Sequence, residues 1–208
     1  MTNTFGYWWN QLVYGRYSSK FNEYCQRKDI PTPYRLCFAE DPIDHVHEIL
    51  NLNEKIPVFH TSVEILFEKQ KFSISRKKLI ITYGQPHSYS VMKIGEYDLN
   101  AFCYKKIFKG KKVKCIYFFY NDKFFMGQYT FSEYSPQLIQ EISSLFIEKF
   151  QVPEAKDHVS FYLEDDYNHR FMIQDTGFSI NCKFVSLANE NIIKPLIEFY
   201  KPELPEKS

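Results

Sequence analysis

Six lysines, Lys105, Lys106, Lys109, Lys111, Lys112 and Lys114, fall within ten residues that contain no acid. Tyr104, Phe108 and Tyr117 are interleaved with them. Ammonium groups at this density attract phosphates, and rings between them can stack on bases. The plainer reading is a solvated tip whose lysines keep sheet edges from pairing with other chains. The balance of the chain favours the plainer reading, because 26 basic and 25 acidic side chains leave a net charge of only +1. No global field draws in nucleic acid or a membrane surface. A run of three acids, Glu164, Asp165 and Asp166, lacks the alternate-residue spacing of a calcium loop and reads as a solvated turn.

Other candidate chemistry is sparse. There is no GxSxG, no HExxH and no glycine-rich phosphate loop, and the chain holds only seven glycines. His87 is catalytic only if the fold pairs it with Cys103 or Asp98, since function needs a convergent set. His45 and His47 lie two apart in a predicted helix, on nearly opposite sides, and cannot share a metal. The five cysteines, Cys25, Cys37, Cys103, Cys115 and Cys182, are scattered and form no CxxC. That argues against a zinc site or disulfide framework and fits a reducing, cytoplasmic compartment. No cofactor and no metal is expected. Trp8 and Trp9 stand among Phe5, Tyr7, Tyr14 and Tyr17. Such rings ordinarily dock a helix on the core; the functional alternative is a Trp8/Trp9 platform for a sugar or peptide.

The elements that must carry these residues follow from periodicity and turn chemistry. Leu12, Val13, Tyr17, Phe21, Tyr24 and Cys25 predict helix within 6–27, loosened at Gly15. A short strand is expected at 35–38. Asp41-Pro42 is a capping carboxylate followed by a proline, and Ile43, Val46, Ile49 and Leu50 share one face, so 42–51 reads as helix. The alternation over 58–67 favours a strand, with a helix capped by Ser62 as the alternative. Ser75 caps a short helix over 76–83 that Gly84 ends and Pro86 blocks from continuing. A polar connection then leads to strands at 99–107 and 111–120. Between them Phe108-Lys109-Gly110 reads as a three-residue hairpin loop, which sets Ile107 opposite Lys111 and Cys103 opposite Cys115. The two thiols would then be reduced cross-strand neighbours. A third strand covers 124–131, with Gly127 as a bulge. Ser135-Pro136 starts a helix that runs to about 150 and is stopped by Pro153. Strands follow at 159–163, 169–174 and 178–184, the last with one face in the core and one in water. Asn189 caps a final helix over 192–200.

An aromatic content of 18% suits strands and points to a sheet-rich core. No signal pattern opens the chain, and no apolar run approaches the ~20 residues needed to span a bilayer. Leu79-Ile80-x-x-Tyr83-x-x-Pro86 aligns with Phe146-Ile147-x-x-Phe150-x-x-Pro153, and each is followed by three predicted strands. A helix ending in Tyr83-Gly84-Gln85-Pro86, then strands with Tyr104-Lys105 and Tyr117-Phe118-Phe119, resembles the helix-then-hairpin modules of the BamE-like outer-membrane-assembly lipoproteins. The tandem arrangement resembles the β-lactamase inhibitor protein fold. The resemblance implies a scaffold that binds other proteins; it transfers no individual binding residue, and the lipid-bearing cysteine that anchors the first family has no counterpart here.

The sequence therefore predicts one α+β domain over 1–208. Its mainly antiparallel sheet of six or more strands comes from two helix-β-β-β units, with helices packed on one face and an N-terminal helical extension. The expected parts are a helical or mixed region over 1–70, a first unit over 71–133, a second unit with a C-terminal helix over 134–201, and a loose tail over 202–208. The expected function is noncatalytic binding of a partner protein. The alternatives are a ligand-binding protein or enzyme with a pocket between helices and sheet, and polyanion or nucleic-acid binding through the hairpin 104–117. Candidate binding residues are Trp8, Trp9, Lys105, Lys106, Phe108, Lys109, Lys111 and Lys112.

Overall fold

Helix α1 (Thr4–Tyr14) ends where Gly15 adopts a φ of +80°, and α2 (Ser19–Arg27) restarts behind Ser18, whose hydroxyl accepts from the Phe21 amide. There follow α3 (Pro42–Leu50), β1 (Val58–Thr61), α4 (Arg76–Tyr83), β2 (Ser88–Ile94), β3 (Tyr97–Phe108), β4 (Lys111–Tyr120) and β5 (Lys123–Phe131). Then come α5 (Pro136–Phe150), a 3-10 turn (Pro153–Asp157), β6 (Tyr162–Asp165), β7 (His169–Asp175), β8 (Ile180–Ser186) and α6 (Glu190–Phe199). This computed structural model describes residues 4–31, 42–50, 55–158 and 160–199; the strand expected at 35–38 and the tail lie outside them. Both predicted serine caps form. Ser75 Oγ accepts from the Lys78 amide, Ser135 Oγ accepts from the Leu138 amide, and Gly84 closes α4 with its amide on the Ile80 carbonyl.

Among the described residues, eight strands form one sheet in the order β1-β6-β7-β8-β5-β4-β3-β2. Every pairing is antiparallel except that of β1 with β6. The two predicted strand groups meet at an antiparallel seam, where Met126 of β5 faces Val185 of β8 and Phe131 faces Ile180. Strand β2 occupies the stretch expected to be a polar connection. The strand expected over 58–67 stops at Thr61, although Ile65 and Phe67 are still buried.

Helices cover both faces of the sheet, not one as expected. On one face Leu79 of α4 and Leu138, Ile142, Phe146 and Phe150 of α5 pack on Phe102, Tyr117, Tyr129, Phe171 and Phe184. On the other, Ile43, Val46 and Ile49 of α3 and Ile192, Ile193 and Leu196 of α6 pack on Leu99, Cys103, Ile116, Phe118 and Val185. A sheet with apolar side chains on both pleats needs two covering layers.

Two further expectations change. The β3–β4 loop has two residues: Lys109 and Gly110 take φ of +49° and +79°, as a tight primed turn requires. The register accordingly sets Phe108 opposite Lys111, Cys103 opposite Ile116 and Tyr104 opposite Cys115. A one-residue slip moves a side chain to the other face, so the buried, free thiols of Cys103 and Cys115 belong to different core layers. The bulge lies at Phe125, where Phe118 pairs with Met126 and Phe119 with Phe124. Gly127 pairs regularly with Tyr117 and Phe184.

Candidate functional site

The lysine hairpin is divided by the pleat. On the side facing α4 and α5, Phe108 packs on Tyr129 and Phe146, at ring-centroid distances of 5.2 and 6.3 Å. Lys106 Nζ lies 2.6 Å from Glu68 Oε2 and 4.0 Å above the Tyr83 ring. Lys111, opposite Phe108, pairs with Glu133 at 3.6 Å. These three residues of the candidate set are tied to neighbouring protein groups. Lys105 and Ile107 point the other way, directly opposite Lys114 and Lys112. Ile107 is 76% exposed, and Lys105, Lys109 and Lys112 are exposed with it. Lys105, Ile107 and Lys112 border an open groove of about 960 Å³ that also touches Lys114, Ser132 and Glu133.

The other candidates, Trp8 and Trp9, are 64% and 57% exposed on α1, with Leu12, Val13 and Tyr14 beside them. The expected docking of these rings on the core does not occur. Tyr7 makes that contact instead, edge-on to Phe21 of α2 at 5.3 Å. Helix α2 is held to the sheet by Ser19, whose amide and hydroxyl bond the Asp98 carboxylate at 3.2 and 2.7 Å. The Tyr17 ring is clasped between Tyr89 and Phe102. Helix α1 thus stands on an anchored helix with its own apolar side turned outward.

A third constellation was not anticipated. Asn181 and Lys183, assigned to a wet face of β8, lie buried with Gln128 under α3. Lys183 Nζ donates to the His45 carbonyl at 3.0 Å and pairs with the Glu48 carboxylate. Gln174 Nε2 donates to Glu48 at 2.8 Å, and Gln128 Nε2 reaches Thr130, Asn181 and His45 Nδ1 at 2.9, 3.2 and 3.5 Å. Burial tends to raise the Glu48 pKa, but the Lys183 charge and the bonds from Lys183 and Gln174 outweigh it and hold the carboxyl below its usual range. Burial and then Lys183 depress the His45 imidazole to about 4, against weaker pulls from Glu48 and Asp44. The ammonium of Lys183 is 0% exposed, so this network fixes a helix to a sheet and offers no reactive group to a substrate.

His45 makes that tether pH-sensitive. Its folded-state pKa lies below the unfolded value, so the unfolded chain binds the extra proton between about pH 6.5 and 4. Stability present above pH 6.5 is therefore lost as pH falls towards 4, by about 2–3 kcal/mol. Urea titrations of the wild type and His45→Asn at pH 7, 5.5 and 4 measure it. The variant is expected to show the shallower loss, the carboxylate contributions being common to both.

The remaining candidates are structural. His47 is buried and bonds the backbone at Leu196. The acidic turn is not simply solvated: Asp165 is buried and accepts from the amides of Ile65, Tyr167 and His169, while Glu164 pairs with Arg170 at 2.8 Å. His87 Nδ1 meets the Lys105 amide at 3.4 Å. Burial, reinforced by Glu68, pushes the Cys115 thiol up to about 12, away from the ionised form a nucleophile needs. Among the described residues, no three His, Cys, Asp or Glu side chains converge as metal ligands, and no helix is long and apolar enough to cross a membrane. No protein-family model, curated protein or solved structure matches the chain.

Proposed function

We propose that this protein is a noncatalytic, cytoplasmic interaction module: two fused helix-plus-meander units that hold α1 out as an anchor for the apolar groove of a partner protein. The observation that carries this reading is the composition and exposure of α1. Its 11 residues include no charge, and Trp8, Trp9, Leu12, Val13 and Tyr14 are all exposed. Trp8 and Leu12, like Trp9 and Val13, are four residues apart and therefore neighbours on the helix surface. The five side chains are largely apolar and include three aromatic rings, the composition enriched at the buried core of protein interfaces. Tryptophans in such positions are the usual energetic anchors, and helix-in-groove docking uses this spacing.

The two-unit reading draws support from the seam. An antiparallel β5–β8 pairing is what a two-fold relation between units would place at their junction. Leu79 and Phe146, aligned in sequence, are buried in the same core layer on the same face. The first unit is longer than expected by β2, and β1 takes the matching outer place beside β6. The tandem architecture and its resemblance to a protein-binding fold make docking the economical use of the scaffold. Free, buried thiols at Cys25, Cys103, Cys115 and Cys182 suit a reducing compartment.

Both tryptophans of the chain sit on α1, so their emission reports on this surface alone. Wild-type protein and Trp8→Ala/Leu12→Ala serve as paired baits, and any partner retained only by the wild type is purified. Its titration into wild type is expected to shift Trp emission to the blue and shield it from acrylamide. The double variant is expected to bind about 100-fold more weakly with an unchanged circular dichroism spectrum. Binding that leaves the emission unmoved, or equal affinity for the variant, removes α1 as the docking element. Concentration-dependent dimerisation lost in the variant would instead assign the surface to a second copy.

A further inference from the structure

We propose that the outer edge of β3 beyond Cys103 accepts an extended acidic peptide as an added strand, with Lys105 and Lys112 meeting its carboxylates. This surface is separate from α1 and stands or falls independently of it.

The pairing of β2 with β3 ends at Ser88 opposite Cys103, whereas β3 continues to Phe108. Among the described residues, no strand pairs with the outer side of 104–108. The His87 amide donates to the Cys103 carbonyl, and the Lys105 amide faces His87 Nδ1. Backbone groups alternate in direction along an antiparallel strand. The Lys105 carbonyl and both the amide and carbonyl of Ile107 therefore continue that outward row as a pairing template.

Lysines at such an edge can serve only to repel other strands. Two features tell against that here. An edge guard would not place a large aliphatic side chain, Ile107, 76% exposed between its charges. Nor does guarding require Lys105 directly opposite Lys114, because like charges across a strand pair destabilise it. The distribution of acids is also uneven. Lys106 and Lys111, on the pleat facing α4 and α5, each have a carboxylate partner. On the opposite pleat, Lys105 and Lys112 have no ion pair with a described acid, and Glu133 at the groove's rim is engaged by Lys111. The charge complement of this face is a ligand rich in Asp and Glu.

A peptide fits better than a nucleic acid. Base recognition wants rings on the cationic face, but Phe108 is turned to Tyr129 and Phe146, and the Tyr104 hydroxyl is spent on the Gly84 carbonyl. What the cationic face offers is an aliphatic contact and a main-chain edge, the two elements of strand addition. The glutamates on one pleat of such a strand would lie along the lysines, their methylene stems against Ile107.

The test uses the full chain and a fluorescein-labelled decapeptide of alternating Glu and Val, read by anisotropy. Saturable binding is expected, weakening about tenfold between low and physiological salt. Lys105→Glu/Lys112→Glu is expected to weaken it about 30-fold or more. Lys77→Glu/Lys78→Glu, the same charge change at exposed positions on α4, is expected to leave it within about twofold. The same peptide N-methylated at alternate residues keeps its charge, loses the amide donors along one edge, and is expected to bind about tenfold more weakly. No binding, an equal loss in both charge-reversed variants, or full binding of the methylated peptide each overturns the proposal. Tighter capture of a single-stranded oligonucleotide of equal charge overturns it in favour of a polyanion groove.

Discussion

Alanine at Gly127 is expected to destabilise the protein by about 3 kcal/mol or more, near the upper end for adding one methyl group to a packed core. A Cβ at this position would lie 2.2 Å from Phe67 Cγ, 2.3 Å from its Cδ1 and 2.8 Å from its Cβ. A clash reaching the root of the side chain cannot be relieved by a rotamer change. Phe67 is enclosed by the rings of Tyr117, Tyr129 and Phe184 at 4.9, 4.6 and 5.3 Å. The strand cannot retreat, because Gly127 is paired with Tyr117 on one side and Phe184 on the other. The segment before α4 must lift instead, exposing a ring whose burial is worth about 1.5–3 kcal/mol. A double-mutant cycle makes the mechanism checkable. Phe67→Ala alone is expected to cost about 3–5 kcal/mol. In that background Gly127→Ala is expected to cost under about 1 kcal/mol, a coupling of about 2 kcal/mol. Urea unfolding followed by circular dichroism gives all four corners. Additive losses would mean that Phe67 does not occupy the space above Gly127.

Gly127 also shows where sequence reading ends. A glycine inside a strand signals either a bulge or a close approach; the ring that approaches comes from 60 residues earlier, through a contact no local pattern records. What was legible is local: the Ser75 and Ser135 caps, the Gly84 stop, the hairpin strands and their approximate limits. Strand β2 was missed because five of its seven residues are buried, which erases the alternation that marks a half-wet strand, and because Pro86-His87 before it reads as loop. The β3–β4 register depended on whether Lys109 takes a positive φ, and lysine carries no such signature.

The same limit governs the candidate surfaces. Alternation alone separates Lys106 and Phe108 from Lys105 and Ile107, but it cannot say which pair meets protein. Asn181 and Lys183 alternate with core residues as if facing water; a polar residue sealed beneath a helix produces the same pattern as one in solvent. The error about β8 and the error about helices on one face have one cause. The layer formed by α3 and α6 lies over residues whose alternation reads as the outside of the sheet. The one available signal was the amphipathic spacing of α3 itself, whose apolar side required a surface of its own.

That hidden layer yields the second large effect. Glu48→Ala is expected to cost about 2–3 kcal/mol, whereas Lys183→Met is expected to be nearly neutral or stabilising. The asymmetry follows from solvation. Lys183 is wholly buried, and its ammonium bonds the Glu48 carboxylate and the His45 carbonyl. Removing the carboxylate takes the Glu48 charge away from a buried cation. Glu48 is 40% exposed, so when Lys183 is replaced it can turn to water, and methionine fills the lysine's volume between Met172 and Gln128 on the flanking strands. The loss in Glu48→Ala falls at or below the bottom of the ~3–5 kcal/mol range for a broken buried pair because that exposure already screens the interaction. The double variant Glu48→Ala/Lys183→Met completes the cycle. It is expected to be more stable than Glu48→Ala alone, which no loss of helix propensity at position 48 can produce, since alanine is the better helix former in both. If Lys183→Met instead unfolds the chain, the charge is required for α3 to seat, and the polar layer is a determinant of the fold and not a tolerated cost within it.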